Sequence, residues 1–326
     1  MKPRVLVTRA IFGDLIDHLS QHFEVEHNQN DEALNEAELI RRLQDKVGVF
    51  ASATDRFSAQ LFAACPGLKA VCNMAVGYNN IDVSAATAAG VMVTNTPDVL
   101  NETTADFGWA LLMAATRRVS ESEHFLRAGE WKKWRYDNFL SADVHGSLLG
   151  IIGMGRIGQA IARRSIGFNM KVVYHNRSRL DPALEAAANH AQYLDMDDLL
   201  RSADHVILTL PYSPASHHLI GAEQLALMKP TATLVNIARG GIVDDVALID
   251  ALKSGTIAAA GLDVFENEPA FHPDFLQLKN VVLTPHIGSA SLPTRRAMAY
   301  LAADNLVAAL TGQRPPNLLN EEVFTQ

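Results

Sequence analysis

Cysteine is scarce in this chain, which carries only Cys65 and Cys72 in 326 residues. Two thiols cannot build a disulfide framework, and their spacing matches no metal-binding pattern. Both read as core thiols, as expected of a protein kept in a reducing cytoplasm. Long apolar runs are missing as well. No stretch approaches the ~20 residues of a membrane span, and Met1 to Phe12 lacks the basic start and apolar run of a secretory leader. Positive charge is in deficit: 28 Lys and Arg stand against 36 Asp and Glu, a net charge of −8. That argues against nucleic acid or an acidic membrane as partner, but not against a local basic site for an anion. Repeats and low-complexity tracts are also absent. What is present, 48% hydrophobic and 20% charged residues, is enough for a globular chain of two domains.

Short apolar runs punctuate the first part: a Val-Leu-Val strand after Arg4, then 23–25, 47–51, 68–74 and 91–94. Helical spacing falls between them at 13–22, 31–45 and 58–64. Alternation of this kind predicts a small α/β domain with a parallel sheet. Thr96-Pro97-Asp98 breaks the pattern, and Asn101 to Val119 reads as one long helix with Asn101 as its N-cap. Its apolar residues cover several faces, which predicts burial against both domains or a second subunit. Residues 120–146 are less regular and hold Trp131, Trp134, Tyr136 and Phe139, an arm suited to a partner or to ordinary packing within the chain.

The most informative stretch is 148–179. Leu148 to Ile152 is too short for a helix and suits a buried strand. Gly153, Gly155 and Gly158 follow at the spacing of a dinucleotide-binding turn, with Ile157, Ala160, Ile161 and Arg164 continuing at helical spacing and a second strand at 171–175. The helix would aim its N-terminal amides at a pyrophosphate. Enzymes that use NAD place an acid after the second strand, to accept from the ribose 2′-hydroxyl. Here the place is held by His175, followed by Asn176, Arg177, Ser178 and Arg179. An acid would repel a 2′-phosphate and a guanidinium can pair with it, so this loop predicts NADPH, with NADH as the weaker alternative.

Further runs at 205–210, 232–237, 258–262 and 281–284 bring the second sheet to six strands, with a last helix at 291–312 returning to the first domain. The expected architecture is α/β: a Rossmann-type, doubly wound parallel-sheet domain over 100–288, inserted into a smaller flavodoxin-like substrate domain of 1–99 and 289–326. A cleft is expected between them.

Arg239, Glu268 and His286 sit at or just past strand ends, where doubly wound sheets bind ligands. An arginine can clamp a carboxylate and polarise a carbonyl. A histidine can move the proton that accompanies hydride transfer, and a glutamate beside it favours imidazolium. Singly, each of the three is as well explained by a solvated or structural role.

With these residues in hand, the chain resembles the D-isomer-specific 2-hydroxyacid dehydrogenases. The resemblance rests on Arg239, Glu268 and His286 and on the motifs at 74–82, 102–106 and 153–158, and it covers essentially the whole length. Within the family the chain is most similar to the glyoxylate/hydroxypyruvate reductase B group, also called 2-ketogluconate reductases. The resemblance implies that Arg239, Glu268 and His286 are catalytic and that the Val76 and Gly77 amides hold the substrate carboxylate across the cleft from Arg239. It further implies cofactor contacts from Thr104, Arg156, Ile157, Pro211 and Asp263, and a homodimer built around the cofactor domain. The missing acid at His175 departs from the NAD-using members. Two other readings share the fold: a dinucleotide-sensing corepressor, and a dehydrogenase of the formate or phosphoglycerate type. Corepressors generally carry extra segments for partners, none of which is expected here. Formate oxidation has no use for the Glu268–His286 pair.

Overall fold

A computed structural model describes residues 2–324; Met1, Thr325 and Gln326, which fall inside the expected domain limits, lie outside the described residues. The chain runs β1 (Arg4–Val7), α1 (Gly13–His22), β2 (Glu24–His27), α2 (Glu36–Leu43), β3 (Gly48–Ala51), α3 (Ala59–Ala64), β4 (Ala70–Asn73), α4 (Val83–Ala88) and β5 (Met92–Thr94). It continues through α5 (Asn101–Thr116), α6 (Val119–Arg127), β6 (Leu148–Ile152), α7 (Arg156–Arg164), β7 (Lys171–His175), α8 (Pro182–Ala187), β8 (Gln192–Tyr193) and α9 (Met196–Ser202). Last come β9 (His205–Leu208), α10 (Ala222–Leu227), β10 (Thr233–Asn236), α11 (Asp245–Ser254), β11 (Ala259–Leu262), β12 (Val281–Leu283) and α12 (Leu292–Leu310). It forms two units, Met1–Leu100 with Ser291–Gln326, and Asn101–Ala290.

In the first unit five parallel strands lie in the order β2-β1-β3-β4-β5, the flavodoxin-like arrangement. Successive strand residues face opposite sides. Val5, Val7, Phe50, Ala70 and Cys72 therefore meet Leu15 and Leu19 of α1 and Ala299, Ala302 and Leu306 of α12, while Leu6, Val49, Ala51 and Val71 meet Leu39, Leu43, Leu61 and Phe62. A side-chain cap sets the start of α2: Asn35 Oδ1 accepts from Glu38 N at 2.9 Å, so the helix begins at Glu36 rather than at 31. Helix α4, capped by Asp82, went unread because Val-Ser-Ala-Ala-Thr-Ala has too few large apolar residues to show a period.

The second unit holds seven parallel strands in the order β12-β11-β10-β9-β6-β7-β8. Connections run outward in both directions from β6 and β9, the doubly wound topology with its switch point between those strands. The extra strand, β8, is a two-residue edge piece, too short to carry any alternation. Two findings correct the reading of the following helix. Asn101 is already its first helical residue, not its cap, and the helix stops at Thr116. Arg118 takes a left-handed φ of +53°, held by a bidentate pair with Glu121 (2.7 and 2.9 Å), and α6 occupies 119–127, part of the stretch read as irregular.

Much of the apolar surface of α5 is used within this unit. Trp109 stacks on Phe168 at 4.7 Å and donates from Nε1 to the Ile161 carbonyl at 3.1 Å, while Gly108 and Gly261 let Ile237 and Leu111 approach closely. Arg163 and Arg164 of α7 pair with Glu102 and Asp106 of α5 at 2.7–2.8 Å, so the acids of the 102–106 motif tie the two helices together. No helix among the described residues is long and apolar enough to cross a membrane.

Candidate active site

The glycine turn sits at the carboxyl end of β6, beside the switch point. Gly153 has φ +102°, a region closed to other residues, and a Cβ there would come within 2.5 Å of Leu210 N. A Cβ on Gly158 would lie 2.5 Å from the Gly153 carbonyl oxygen, so this glycine sets how closely α7 packs on the turn. Gly155 differs: a Cβ there would meet nothing within 4 Å. Protein packing does not demand that glycine, and it leaves open space at the N-terminus of α7, where backbone amides and the helix dipole favour an anion. Arg156 and Ile157 open the helix, the first exposed and the second half-buried. These residues fit a dinucleotide pyrophosphate.

Asn176 has a duty the sequence did not suggest. Its Oδ1 accepts from Met154 N at 2.7 Å, which pins the turn from the end of β7. The His175 ring is likewise engaged, with Nδ1 3.0 Å from the Leu194 carbonyl and the ring beside Tyr193. A buried Tyr174 fixes the following loop: its hydroxyl donates to Glu185 at 2.6 Å and accepts from Leu180 N at 2.8 Å. Arg179 pairs bidentately with Glu185 (2.8 and 2.9 Å), and that bond, with the Tyr174 hydroxyl, draws the Glu185 carboxyl down to about 2. Arg177 and Ser178 remain exposed and make no side-chain contact of this kind among the described residues. Pro211 is exposed beyond β9, and its carbonyl accepts from Ser216.

Arg239, Glu268 and His286 come from three separate loops beyond β10, β11 and β12. His286 Nδ1 lies 2.8 Å from Glu268 Oε2. An ionised carboxylate only accepts, so Nδ1 carries the hydrogen and Nε2 is left for another partner. The other Glu268 oxygen accepts from Phe265 N at 2.8 Å. Burial alone would raise the Glu268 carboxyl; the hydrogen bond and charge of His286, the Phe265 amide and the charge of Arg239 outweigh it and hold the group below its usual range. Burial draws the Arg239 guanidinium down, and the Glu268 charge opposes this. His286 sits at φ +53°, in a backbone region few non-glycine residues adopt.

Asp263 holds the His286 loop in place. Only 2% exposed, it accepts from Thr284 Oγ1 (2.7 Å), Ile287 N (2.8 Å) and Gly288 N (2.7 Å). Burial raises its carboxyl, and those three donors only partly restore the charged form. Buried Thr104 and half-buried Phe107 of α5 lie beside Gly288, where an added Cβ would be in ordinary van der Waals contact with both. A further device went unread, although the Arg239-Gly240-Gly241 spelling could have signalled it. A Cβ on Gly240 would run into the Phe265 carbonyl and come within 2.8 Å of Glu266 N. The loops that carry Arg239 and Glu268 thus touch backbone to backbone. Behind them, Glu266 N donates to Asp245 at 3.2 Å, and Glu266 Oε1 meets His218 Nε2 at 2.6 Å. Val76 and Gly77 lie in the first unit, in the loop after β4.

Residues 109–288 match the family model described as D-isomer specific 2-hydroxyacid dehydrogenase, NAD binding domain. A glyoxylate reductase of Thermococcus onnurineus is 48% identical over 99% of this chain and 98% of its own length. Among solved structures, an NADPH-dependent glyoxylate/hydroxypyruvate reductase from Sinorhizobium meliloti, in complex with NADP and malonate, superposes with TM-score 0.88 at 35% identity, covering 99% of this chain and 98% of that one. A glyoxylate reductase from Paecilomyes thermophila gives TM-score 0.87 at 33% identity, covering 98% and 99%. The chain belongs to the D-isomer specific 2-hydroxyacid dehydrogenase family.

Proposed function

From that membership we propose that the protein is an oxidoreductase that reduces small 2-keto acids to D-2-hydroxy acids. Glyoxylate and hydroxypyruvate are the first substrates in view, 2-ketogluconate a longer one, and NADPH is preferred over NADH. The observation that carries the reading is the 2.8 Å pairing of His286 with Glu268, with the Arg239 charge beside it. When bound, the reduced nicotinamide supplies the hydride that reaches the keto carbon. Arg239 donates to the substrate carboxylate and polarises the ketone, drawing negative charge onto its oxygen. His286, protonated, gives its Nε2 proton to that oxygen, while Glu268 keeps Nδ1–H oriented and stabilises the imidazolium. Carboxylate binding is assigned also to the Val76 and Gly77 amides. Gly153, Gly155, Arg156, Ile157 and Gly158 are assigned to the cofactor pyrophosphate, Thr104, Pro211 and Asp263 to the rest of the cofactor, and His175, Asn176, Arg177 and Ser178 to its 2′-phosphate end. Within that last group Arg177 makes no ion pair among the described residues, whereas Arg179 is taken by Glu185, which supports NADPH through Arg177.

His286→Gln tests the core of this reading. Loss of a general acid lowers kcat by about 10²–10⁴ and flattens the pH–rate profile. A variant with wild-type rate and profile refutes it. We place the protein in the cytoplasm, in keeping with two buried free thiols, and as a homodimer. Support for the dimer is the 126–140 stretch, where Leu126, Trp131, Trp134, Tyr136 and Leu140 are 55–80% exposed, together with a cavity of about 520 Å³ near Thr116, Leu140, Lys253 and Val281 of the same unit.

A further inference from the structure

The loop after β4 is built so that its amides face outward. The parallel register sets Cys72 of β4 opposite Thr94 of β5; Asn73 ends β4 and Asn95 is the first residue past β5. Both side chains turn to the same loop. Asn95 Nδ2 donates to the Val76 carbonyl at 2.9 Å, and Asn73 Nδ2 to the Gly77 carbonyl at 3.0 Å. One step earlier, Thr96 N donates to the Ala75 carbonyl at 2.9 Å. Three consecutive carbonyls are therefore tied back to the body of the first unit.

Peptide planarity gives this a consequence. In a trans peptide the C=O and the following N–H point opposite ways, so fixing the oxygens of Ala75 and Val76 inward turns the N–H groups of Val76 and Gly77 outward. Neither N–H donates to any of the described residues. Successive outward amides form a concavity that suits an anion. Both asparagines sit in the interior, and the backbone of Asn95 is anchored further. Asn73 is fully buried and Asn95 is 8% exposed. The Asn95 carbonyl accepts from Asn305 Nδ2 on α12 (3.4 Å), and Asn305 Oδ1 accepts from Asn317 N (3.0 Å).

We propose that Asn73 and Asn95 are positioning residues for carboxylate recognition, which shape the loop through its carbonyls without touching the substrate. The inference rests on the reading above that Val76 and Gly77 bind the substrate carboxylate. Only a donor serves at these positions. Aspartate has nearly the same shape as asparagine but would set an acceptor against the Val76 carbonyl and favour turning that peptide over.

The test compares wild type, Asn95→Asp and Asn95→Ala in three measurements: steady-state kinetics with glyoxylate and hydroxypyruvate, the KM for NADPH, and binding of malonate, a non-reacting dicarboxylate, in the presence of NADP. The expected result is a keto-acid KM and a malonate Kd raised about 10- to 100-fold in Asn95→Asp and less in Asn95→Ala, with the NADPH KM nearly unchanged even though loss of the buried hydrogen bond lowers the melting temperature. Unchanged keto-acid KM and malonate Kd in both variants overturn the proposal. So does a uniform loss of kcat, NADPH affinity and melting temperature, the mark of a merely structural role. If Asn95→Asp does not fold, Asn95→Ala decides on the same criteria. A wild type that binds malonate but reduces no 2-keto acid refutes the proposed function, and the malonate constants then judge this inference alone. A wild type that binds neither overturns it.

Discussion

Gly240→Ala adds one carbon where two functional loops meet. That carbon would overlap the Phe265 carbonyl and lie 2.8 Å from Glu266 N. Non-bonded carbon needs roughly 3.5 Å from its neighbours, so the 264–268 segment must retreat by roughly 1.5–2 Å. Glu268 rides on that segment, and its two 2.8 Å contacts, to Phe265 N and His286 Nδ1, cannot both survive such a shift. A misplacement of this size costs about 10²-fold in rate, which corresponds to about 2.7 kcal/mol of transition-state stabilisation. Overpacking adds a stability loss of about 1–3 kcal/mol. The glycine turn is untouched, so the KM for NADPH stays put. The assay is spectrophotometric NADPH oxidation with saturating glyoxylate, alongside a denaturant curve. Gly240→Ala with kcat within about three-fold of wild type and an unshifted midpoint would refute the backbone-contact argument.

The remaining predictions concern charge, cofactor and assembly. Burial pushes the Asp245 carboxyl from 3.8 up to about 6. Across pH 4 to 6 the folded protein therefore holds a proton that the unfolded chain has lost, and stability falls as pH rises through that window. Asp245→Asn removes this cost, so denaturant unfolding at pH 7.5 shows the variant gaining up to about 3 kcal/mol over the wild type relative to their difference at pH 4; a constant difference contradicts the assignment. Arg177→Ala raises the KM for NADPH about ten-fold or more and leaves that for NADH nearly unchanged, and equal effects on both remove Arg177 from the 2′-phosphate. Replacing Trp134 and Tyr136 by serine shifts the sedimentation profile toward monomer, and an unaltered dimer moves the interface elsewhere.

Where residues act through local rules, the chain was legible in order. The short apolar runs marked strands, Gly153, Gly155 and Gly158 marked the turn, and His175 to Arg179 exposed the missing acid, because each signal lies within a few adjacent positions. Reading failed where the signal was weak or short: at the small-residue helix α4, at the two-residue strand β8, and at Arg118, whose left-handed backbone separates α5 from α6. Candidate residues were equally nameable as types. Arg239, Glu268 and His286 could be picked out one by one from strand-end positions, yet nothing in their spacing of 29 and 18 residues states that they meet. The folded sheet decides that, because parallel β10, β11 and β12 all end on one edge and deliver their loops together. It also decides the supports that no pattern announces. Asp263 gathers three donors, Gly240 yields its Cβ space to Phe265, and Asn73 and Asn95 bond to neighbouring carbonyls of one loop. A sequence records which groups are available along one dimension. Hydrogen bonds and close contacts between residues tens of positions apart exist only once packing has chosen their neighbours.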